Sequence, residues 1–499
     1  MKPKSFRRAV SRVALALALP GCAVGPNFRT PAAPNAPLTP APLPSATEAA
    51  GGVAQHFSPG ADIAGDWWTL YHSPQLNALI TTALANNPSL TAAQATLLEA
   101  EENTRAGEGV LLPSVSGALS AQRDQPSTSA VAGFGNSNTE EPLAPYTLYN
   151  ASLSVSYTVD LWGASRRSVE GLAAQAEYQR DELEAAYLTL TANIVTSAVT
   201  VASLRAQIDA TNQVIESERE LLGILQTQVS LGGVAQAQVL QQQAQLAQQE
   251  ATLPPLESQL AQAQNQLAAY AGTFPGDFKP QDFTLDNLQL PADVPVSLPS
   301  AIVAQRPDIR AAAAQLHVAS ANLGVADANL LPQLTLSGQV GHESLTTDTL
   351  FTPQTLLWNL AAGLTQPIFE GGQLTAKRKA ALAALHAAAG QYQNTVITAF
   401  QNVADVLAAL QYDATAQQAA DAAAVAAAQS LKVTQAQYQL GGQPFSVVLT
   451  AQTTYHTAVI AQVRARAARF ADTAALFQAL GGGWWHRQDV AQNCCGAIP

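Results

Sequence analysis

Apolar residues recur every three or four positions through two long stretches of the chain. The steps alternate between four and three residues, which is typical of the seam of a left-handed coiled coil. A helix over residues 163–229 would be about 100 Å long at 1.5 Å per residue. The first seam consists of Leu183, Tyr187, Leu190, Ile194, Ser197, Val201, Leu204, Ile208, Thr211, Ile215, Glu218, Leu222, Leu225 and Val229. The second consists of Val396, Phe400, Val403, Leu407 and Leu410, and continues less apolar to Leu431 and Tyr438.

Each long helix is expected to end at a pair of glycines, at positions 232–233 and 441–442. Glycine ends helices readily because it adopts the left-handed conformation without steric cost. Partner helices are predicted to run back over residues 234–271 and 445–480. Each half of the chain therefore contains a long helical hairpin.

A different pattern, with period two and many Ser and Thr residues, precedes each hairpin. It predicts strands at about 114–122 and 146–160 in the first half, and at 333–342 and 356–369 in the second. A turn-rich loop separates the members of each pair, with Gly133 and Gly135 in the first loop. The chain thus supplies four predicted strands.

The order of these elements is the same in both halves of the chain. A helical segment ends in Leu112-Pro113 in the first half and in Leu331-Pro332 in the second, and a strand pair and a glycine pair follow each. Recurrence in constant order predicts an internal duplication.

Strands that enter a bilayer must close into a barrel, because open edges leave backbone groups unsatisfied in hydrocarbon. Single-chain bacterial barrels start at about eight strands, so four are too few. Three chains would supply twelve. The alternative is that the strands are ordinary soluble hairpins. Aromatic residues near the strand ends fit either interfacial girdles or a core: Tyr146, Tyr149, Trp162, Trp358 and Phe369.

The composition narrows the classes of function. The 499 residues carry a net charge of −12, which argues against nucleic acid as a partner, since phosphate binding needs a basic face. No P-loop, G-x-S-x-G or H-E-x-x-H motif is present, and the seven histidines, His317 and His386 among them, are scattered. An enzyme is not predicted, nor is any cofactor or metal site. A surface coiled-coil adhesin would explain the heptads but not the duplicated strand pairs.

The N-terminus has the features of a secretory signal. Five basic residues precede the apolar run 13–19, which is too short to span a bilayer. Residues 19–22 (LPGC) resemble a lipobox, so Cys22 is the predicted site of lipid attachment. The alternative is an ordinary cleaved signal with a chance cysteine. The Pro-rich stretch that follows predicts an extended tether. Cys494 and Cys495 are adjacent and imply no disulfide framework.

Six stretches together resemble the outer membrane factor family, the TolC-like exit ducts, and especially its lipoprotein branch that serves resistance-nodulation-division (RND) pumps. They are residues 19–28, 67–68 with 76–88, 157–163 (YTVDLWG), 305–309 (QRPDI), 366–372 (QPIFEGG) and 480–484 (LGGGW). The resemblance implies a mixed α/β membrane protein whose homotrimer forms a 12-stranded β-barrel in outer-membrane lipid, continued by a long α-helical coiled-coil barrel. It also implies a periplasmic adaptor and an inner-membrane RND-type transporter as partners. A protein-secretion duct is the alternative within the same fold.

The expected organisation follows from these elements. It comprises a signal peptide (1–21), a lipidated Pro-rich tether (22–60), a first repeat (61–271), a linker in the equatorial region (272–300), a second repeat (301–484) and a C-terminal tail (485–499). The first repeat includes a strand pair at about 114–160 and a hairpin at 163–271. The second includes a strand pair at about 333–369 and a hairpin at 372–480.

In the family, the hairpin tips form the periplasmic gate and the adaptor contact. The tips of this chain are rich in Gln where family tips often carry charges, so the resemblance implies the position of the gate but not its salt bridges. The glycines serve at least as turn formers. Arg306 and Asp308 are interpreted as an ion pair or cap at a helix start. The candidate tip residues are Gly232, Gly233, Gln238, Lys432, Tyr438, Gly441, Gly442 and Gln443.

Overall fold

The computed structural model describes residues 23–34, 36–39, 42–51, 53–125, 144–297 and 299–487. They divide into two compact units. The strand unit takes the described residues of 1–30, 98–177 and 314–390, and the helix unit takes those of 31–97, 178–313 and 391–499. The predicted mixture of strands with long helices is confirmed.

The helices include two of 67 residues and two of 35 residues. In chain order they are α1 (Pro74–Asn86), α2 (Pro88–Glu108), α3 (Ala164–Ser230), α4 (Gln236–Tyr270), α5 (Pro299–Gln305), α6 (Pro307–Ala328), α7 (Gln373–Gln439) and α8 (Phe445–Ala479). Short 3-10 turns occur at Trp67–Tyr71, Gly109–Leu111, Pro353–Thr355 and Trp484–His486. The strands are β1 (His56–Pro59), β2 (Ser114–Asp124), β3 (Tyr146–Val159), β4 (Asp293–Val296), β5 (Gln333–Ser344) and β6 (Leu356–Thr365).

The strand unit is built on one antiparallel sheet with the order β2-β3-β5-β6. Val155 of β3 lies opposite Val115 of β2, and Leu153 of β3 lies opposite Val340 of β5. Val340 in turn lies opposite Trp358 of β6. The two predicted strand pairs are therefore joined through β3 and β5, and β2 and β6 are the edges. The loop that contains Gly133 lies outside the described residues.

The strand predicted over residues 356–369 ends earlier, at Thr365. Pro367 has no N–H to offer to a ladder, so pairing cannot continue through it. The side chain of Gln366 donates instead to the Leu330 carbonyl at 3.1 Å. Phe369 therefore lies beyond the sheet, 87% exposed.

The seam of α3 is buried as its heptads predict. Within the helix unit Ile194, Val201, Thr211, Glu218 and Leu225 are each less than 2% exposed. Their burial confirms that the period of 3.5 marks the packed side of the helix. Two of these five residues are polar, although such a seam is usually apolar.

Two helix starts in the helix unit have a polar side chain directly before proline. The Asn87 Oδ1 atom accepts from the backbone N–H of Ser89 at 2.9 Å and of Leu90 at 3.2 Å. Arg306 Nη2 contacts Asp308 Oδ2 at 2.7 Å, which confirms the ion pair expected at the start of α6. Arg306 Nη1 also donates to the Ala479 carbonyl at 2.7 Å, so it caps the end of α8.

One small sheet is not predicted by the sequence analysis. In it β1 pairs in parallel with β4, so part of the expected tether is packed against the expected linker. Arg469 of α8, only 1% exposed, donates to the carbonyls of Ala50 at 2.9 Å and Val53 at 3.1 Å. The segment before β1 is thus held by a buried guanidinium.

Among the described helices, α3 alone has the length and apolar composition of a membrane span, with a best window of mean hydropathy 1.4. About half of that window, 56%, is buried inside the protein, as expected for a core helix.

Candidate functional site

The sheet of the strand unit has one strongly apolar face. Side chains alternate across a strand, so residues of one parity share a face. On this face Val115, Leu153, Val340 and Trp358 come together through the strand register. The exposed fraction is 67% for Val115 and 70% for Trp358. An exposed apolar face that crosses four strands has the chemistry of a lipid contact.

The opposite face of the same sheet is polar and hydrogen-bonded. Ser116 and Ser154 share a hydrogen bond of 2.9 Å between their hydroxyls. Asn359 Nδ2 donates to Gln339 Oε1 at 3.5 Å, and Ser156 lies opposite Ser337. Hydroxyl and amide groups of this kind suit a water-filled interior.

The residues that follow Cys22 are fixed to the strand unit, although Cys22 lies outside the described residues. The backbone N–H of Val24 donates to the Trp162 carbonyl at 2.9 Å. Arg167 Nη2 donates to Asn27 Oδ1 at 2.6 Å. Gly25 lies against Gly324, where a Cβ on Gly25 would approach the Gly324 Cα to 2.5 Å. Residues 24–27 are therefore held against the segment that directly follows β3.

The two hairpin tips, defined as residues 229–240 and 438–449, have the same backbone geometry. Gly232 has φ of 76° and Gly441 has φ of 75°, the left-handed conformation. The N–H of Gly233 donates to the backbone carbonyl of Gln228 at 2.8 Å, and the N–H of Gly442 donates to the backbone carbonyl of Gln437 at 2.8 Å. Both helices thus end in the Schellman arrangement, which the glycine pairs predict.

The tips are joined within the chain by a small core. Leu225, Val239, Phe445 and Val448 are buried together, with the Tyr438 ring packed beside Phe445 at 5.3 Å between centroids. The Tyr438 hydroxyl donates to Gln238 Oε1 at 2.8 Å. Burial raises the pKa of Tyr438, so its hydroxyl stays protonated as a donor.

The structure brings some candidate tip residues together and leaves others apart. Tyr438 and Gln238 form a pair, whereas Lys432 and Gln443 are exposed on the surface of the chain. Leu231 and Leu440, which are not among the candidate tip residues, are 80% and 87% exposed. Their position directly before a glycine pair is the sequence signal that could have identified them as tip residues. Among the described residues, no group of three or more potential ligands could hold a metal ion.

The class of protein follows from a family comparison. The model of the outer membrane efflux protein family matches residues 79–273 and 298–482, which is most of the chain. The chain belongs to this family, and its function is that of an outer-membrane efflux channel.

Individual relatives agree with this assignment. The pyoverdine export outer membrane protein OpmQ of Pseudomonas aeruginosa is 31% identical over 464 residues, 91% of this chain and 96% of the relative. The toluene efflux pump outer membrane protein TtgC of Pseudomonas putida is 27% identical, and the match covers 97% of each chain. The CmeC outer membrane channel of Campylobacter jejuni shares the fold, with a TM-score of 0.85 over 95% of this chain and 98% of its own, at 24% identity.

We expect Gly441→Ala to loosen the second tip. A Cβ at Gly441 would meet no atom within 4 Å, so the cost comes from the left-handed backbone and amounts to about 1 kcal/mol. Tip amides of residues 437–445 should then exchange with deuterium about fivefold faster. Gly223→Ala is the matched control, because Gly223 also has open space around it but lies inside α3. That change should slow or leave unchanged the exchange of its own region. Equal acceleration in both variants would show that the tip does not depend on the glycine conformation.

Proposed function

We propose that three copies of this chain form the outer-membrane exit duct of a tripartite efflux system. The duct passively conducts small molecules from a periplasmic adaptor and an inner-membrane RND-type transporter to the exterior. The observation that carries the proposal is the sheet of the strand unit, with one apolar face, one polar face and two open edges. Membership of the efflux family supports the transport role.

The trimer follows from what the edges of this sheet need in lipid. Unpaired N–H and C=O groups on β2 and β6 would each cost several kcal/mol in hydrocarbon. If β2 of one chain pairs with β6 of the next, a closed ring satisfies both edges without a separate edge strand. Three chains would then contribute twelve strands, with the apolar faces outward and the polar faces inward.

The helices support a duplicated architecture for the duct. In each half a helix of 67 residues leads to a glycine pair and a helix of 35 residues leads away from it. Equal lengths in the two halves favour an internal duplication, and the buried seam of α3 favours a coiled-coil continuation. We infer that these hairpins form the α-helical barrel and project into the periplasm.

The chemistry of the polar face favours small solutes without close recognition. Away from the end of the sheet that carries Asp124 and Glu343, the face presents neutral hydroxyl and amide groups at Ser116, Ser154, Gln339 and Asn359. Such groups offer hydrogen bonds but no strong field that would select one charge. The relatives OpmQ and TtgC are named for the transport of two very different compounds, pyoverdine and toluene. A duct that admits many small solutes is consistent with the neutral groups of the polar face and with the different compounds in the relatives' names.

Lipid attachment at Cys22 is supported by the docking of its neighbours. Val24, Gly25 and Asn27 are held beside Trp162 and Arg167, next to the end of β3. Because β3 belongs to the proposed barrel, an acyl chain on Cys22 would begin close to the membrane surface. The anchor would assist retention while the barrel holds the chain in the membrane.

A charge on the apolar face should prevent assembly, whereas the same charge on the polar face should be tolerated. Leu360 is 79% exposed on the apolar face, and Asn359 points to the other side. Leu360→Arg should cost about 2–4 kcal/mol at the level of the bilayer centre, while Asn359→Arg should still yield trimers. Native mass spectrometry and light scattering of protein extracted in mild detergent measure both. A stable membrane-inserted monomer of the unmodified protein would contradict the proposed trimer.

Cys22 is expected to become the lipidated mature N-terminus. Intact-mass and peptide mass spectrometry of the purified protein should find acylated Cys22 with no residue before it. Cys22→Ala should remain in the outer membrane, because the strands insert independently of the acyl chains. Recovery of Met1 or Ala23 as the N-terminus of the unmodified protein would reject the modification.

The gate is proposed to lie at the tips, where Gly232, Gly233, Gln238, Lys432, Tyr438, Gly441, Gly442 and Gln443 would shape the constriction and the adaptor contact. Neutral amides there contribute hydrogen bonds of roughly 1 kcal/mol each, not strong ion pairs. Closure should therefore depend only weakly on salt, since Debye screening acts on charges.

Gln443→Asp should raise the cation preference of the channel, because three copies would place three acids around the threefold axis. The reversal potential in planar bilayers across a salt gradient measures this preference. An unchanged potential would remove Gln443 from the pore lining. Strong cation selectivity in the unmodified channel would show that acids elsewhere control the gate.

A further inference from the structure

Glu218 is a buried acid in the seam of α3 that the proposed transport role does not use. It occupies a heptad position between Thr211 and Leu225 and is 0% exposed. Neither carboxylate oxygen accepts a hydrogen bond of ordinary geometry from a described residue. An ionised carboxylate in that position would be costly, because its charge has lost water and gained no cation, only the approach of the Gln245 side chain.

The helices packed around Glu218 supply amides and apolar groups. From α4, Gln242 Nε2 donates to the backbone carbonyl of Glu218 at 3.1 Å, and not to its carboxylate. From α8, Gln452 and Tyr455 line a cavity of about 150 Å³ with Glu218, and α7 adds Leu431. The Oε1 atoms of Gln242 and Gln452 also lack hydrogen-bond partners. Packing here therefore leaves buried acceptor atoms without donors, and a protonated acid adds less to that cost than a carboxylate would.

The nearby charged groups do not compensate for the carboxylate. Arg219, on the same helix, is bound to Glu250 of α4 at 2.7 Å and is half exposed. Glu216 lies 3.6 Å from Arg219 and is also exposed. His456 of α8 approaches Thr211 at 3.3 Å, and burial lowers its pKa, so it is neutral at pH 7. Glu250 adds a repulsive negative charge.

These surroundings shift the protonation of Glu218 into the physiological range. Burial raises the pKa of Glu218 from 4.5 to about 7. The approach of the Gln245 side chain to the carboxylate opposes this rise, and repulsion by the negative charge of Glu250 adds to it. The carboxyl is therefore neutral in mildly acidic solution and partly ionised at pH 7.

We propose that Glu218 is a proton-binding site that locks the helical coil behind the tips. With the proton bound, the coil keeps the packing seen here, in which Leu225 and Val239 close the tip core. When the proton is lost, the charge favours an arrangement in which α3 moves apart from α7 and α8, whose side chains line the cavity with it, and water reaches the carboxylate. The cavity gives that water a place to enter, because Glu218, Gln452 and Tyr455 contribute polar groups to its walls and it has room for several molecules.

The direction of the pH dependence follows from linkage. Glu218 binds its proton more tightly in the packed coil than in water, so the packed state is most favoured below pH 4.5. That advantage is lost as the pH rises towards 7 and stays lost above it. A pKa that moves from 4.5 to about 7 limits the total change to roughly 300-fold in the packing equilibrium. Between pH 5 and pH 8 the opening equilibrium should rise by roughly 50- to 100-fold.

Glu218→Gln tests the lock, because Gln has the size of the protonated acid and cannot ionise. Glu220→Gln is the matched control, since Glu220 is an exposed acid on the same helix, two residues away. Deuterium exchange of residues 218–240 in purified trimers is compared between variant and unmodified protein at each pH, which cancels the intrinsic pH effect on exchange. The unmodified protein and Glu220→Gln should open increasingly from pH 5 to pH 8, and Glu218→Gln should not.

Channel conductance gives a second measurement that rests on the proposed function. Conductance of the unmodified channel should rise from pH 5 to pH 8, and that of Glu218→Gln should stay at its low-pH value. If Glu218→Gln keeps the full pH dependence of exchange, the proposed lock is wrong. Failure of Glu218→Gln to assemble would also contradict it, because Gln mimics the protonated, locked form. If exchange follows the prediction but no conductance appears at any pH, the lock stands and the proposed channel fails.

Discussion

The backbone of the strand unit imposes the constraint on which the rest of the structure depends. Hydrocarbon cannot hydrogen-bond to N–H or C=O groups, so every strand in it must pair on both sides. The sheet β2-β3-β5-β6 pairs its two inner strands and leaves an edge on each outer strand. The exposed apolar side chains of Leu119 and Leu360 favour lipid over water at one face. The proposed closed ring in lipid would satisfy both requirements together.

The helices of the proposed duct would meet a different requirement, because a gated duct must be held shut and must also open. A seam made only of apolar residues would pack tightly and resist separation. Here Thr211, Glu218, Gln242 and Gln452 are buried at less than 4% exposure among apolar neighbours. Polar layers of this kind lower the stability of a coil while fixing its register. The coil behind the tips is therefore specific without being as stable as its length would allow.

The sequence predicts the parts of this fold whose signals repeat along the chain. The repeated signals are the heptads over α3, the alternation in β2 and β5, and the glycine pairs. Each recurs often enough to show the period of a helix or strand, or the position of a turn. Contacts made by single residues far apart leave no such signal. Arg469 reaches Ala50 across more than four hundred residues, and the four-residue strands β1 and β4 are too short to show alternation. The end of β6 is set by Pro367, which outweighs the apolar residues after it.

The tip core has a consequence for the symmetry of the proposed trimer. The two halves share their turns, but Tyr438 and Phe445 occupy the positions that Val229 and Gln236 hold in the first half. The bond from Tyr438 to Gln238 consequently joins the second tip to the first in one direction only. Six tips around a ring would then form three fixed pairs within chains, and the contacts between chains would differ from them. At the tips, opening would begin at the interfaces between chains, which lack this bond, so the tip constriction would follow the threefold symmetry of the chains and not the sixfold pattern of the repeats.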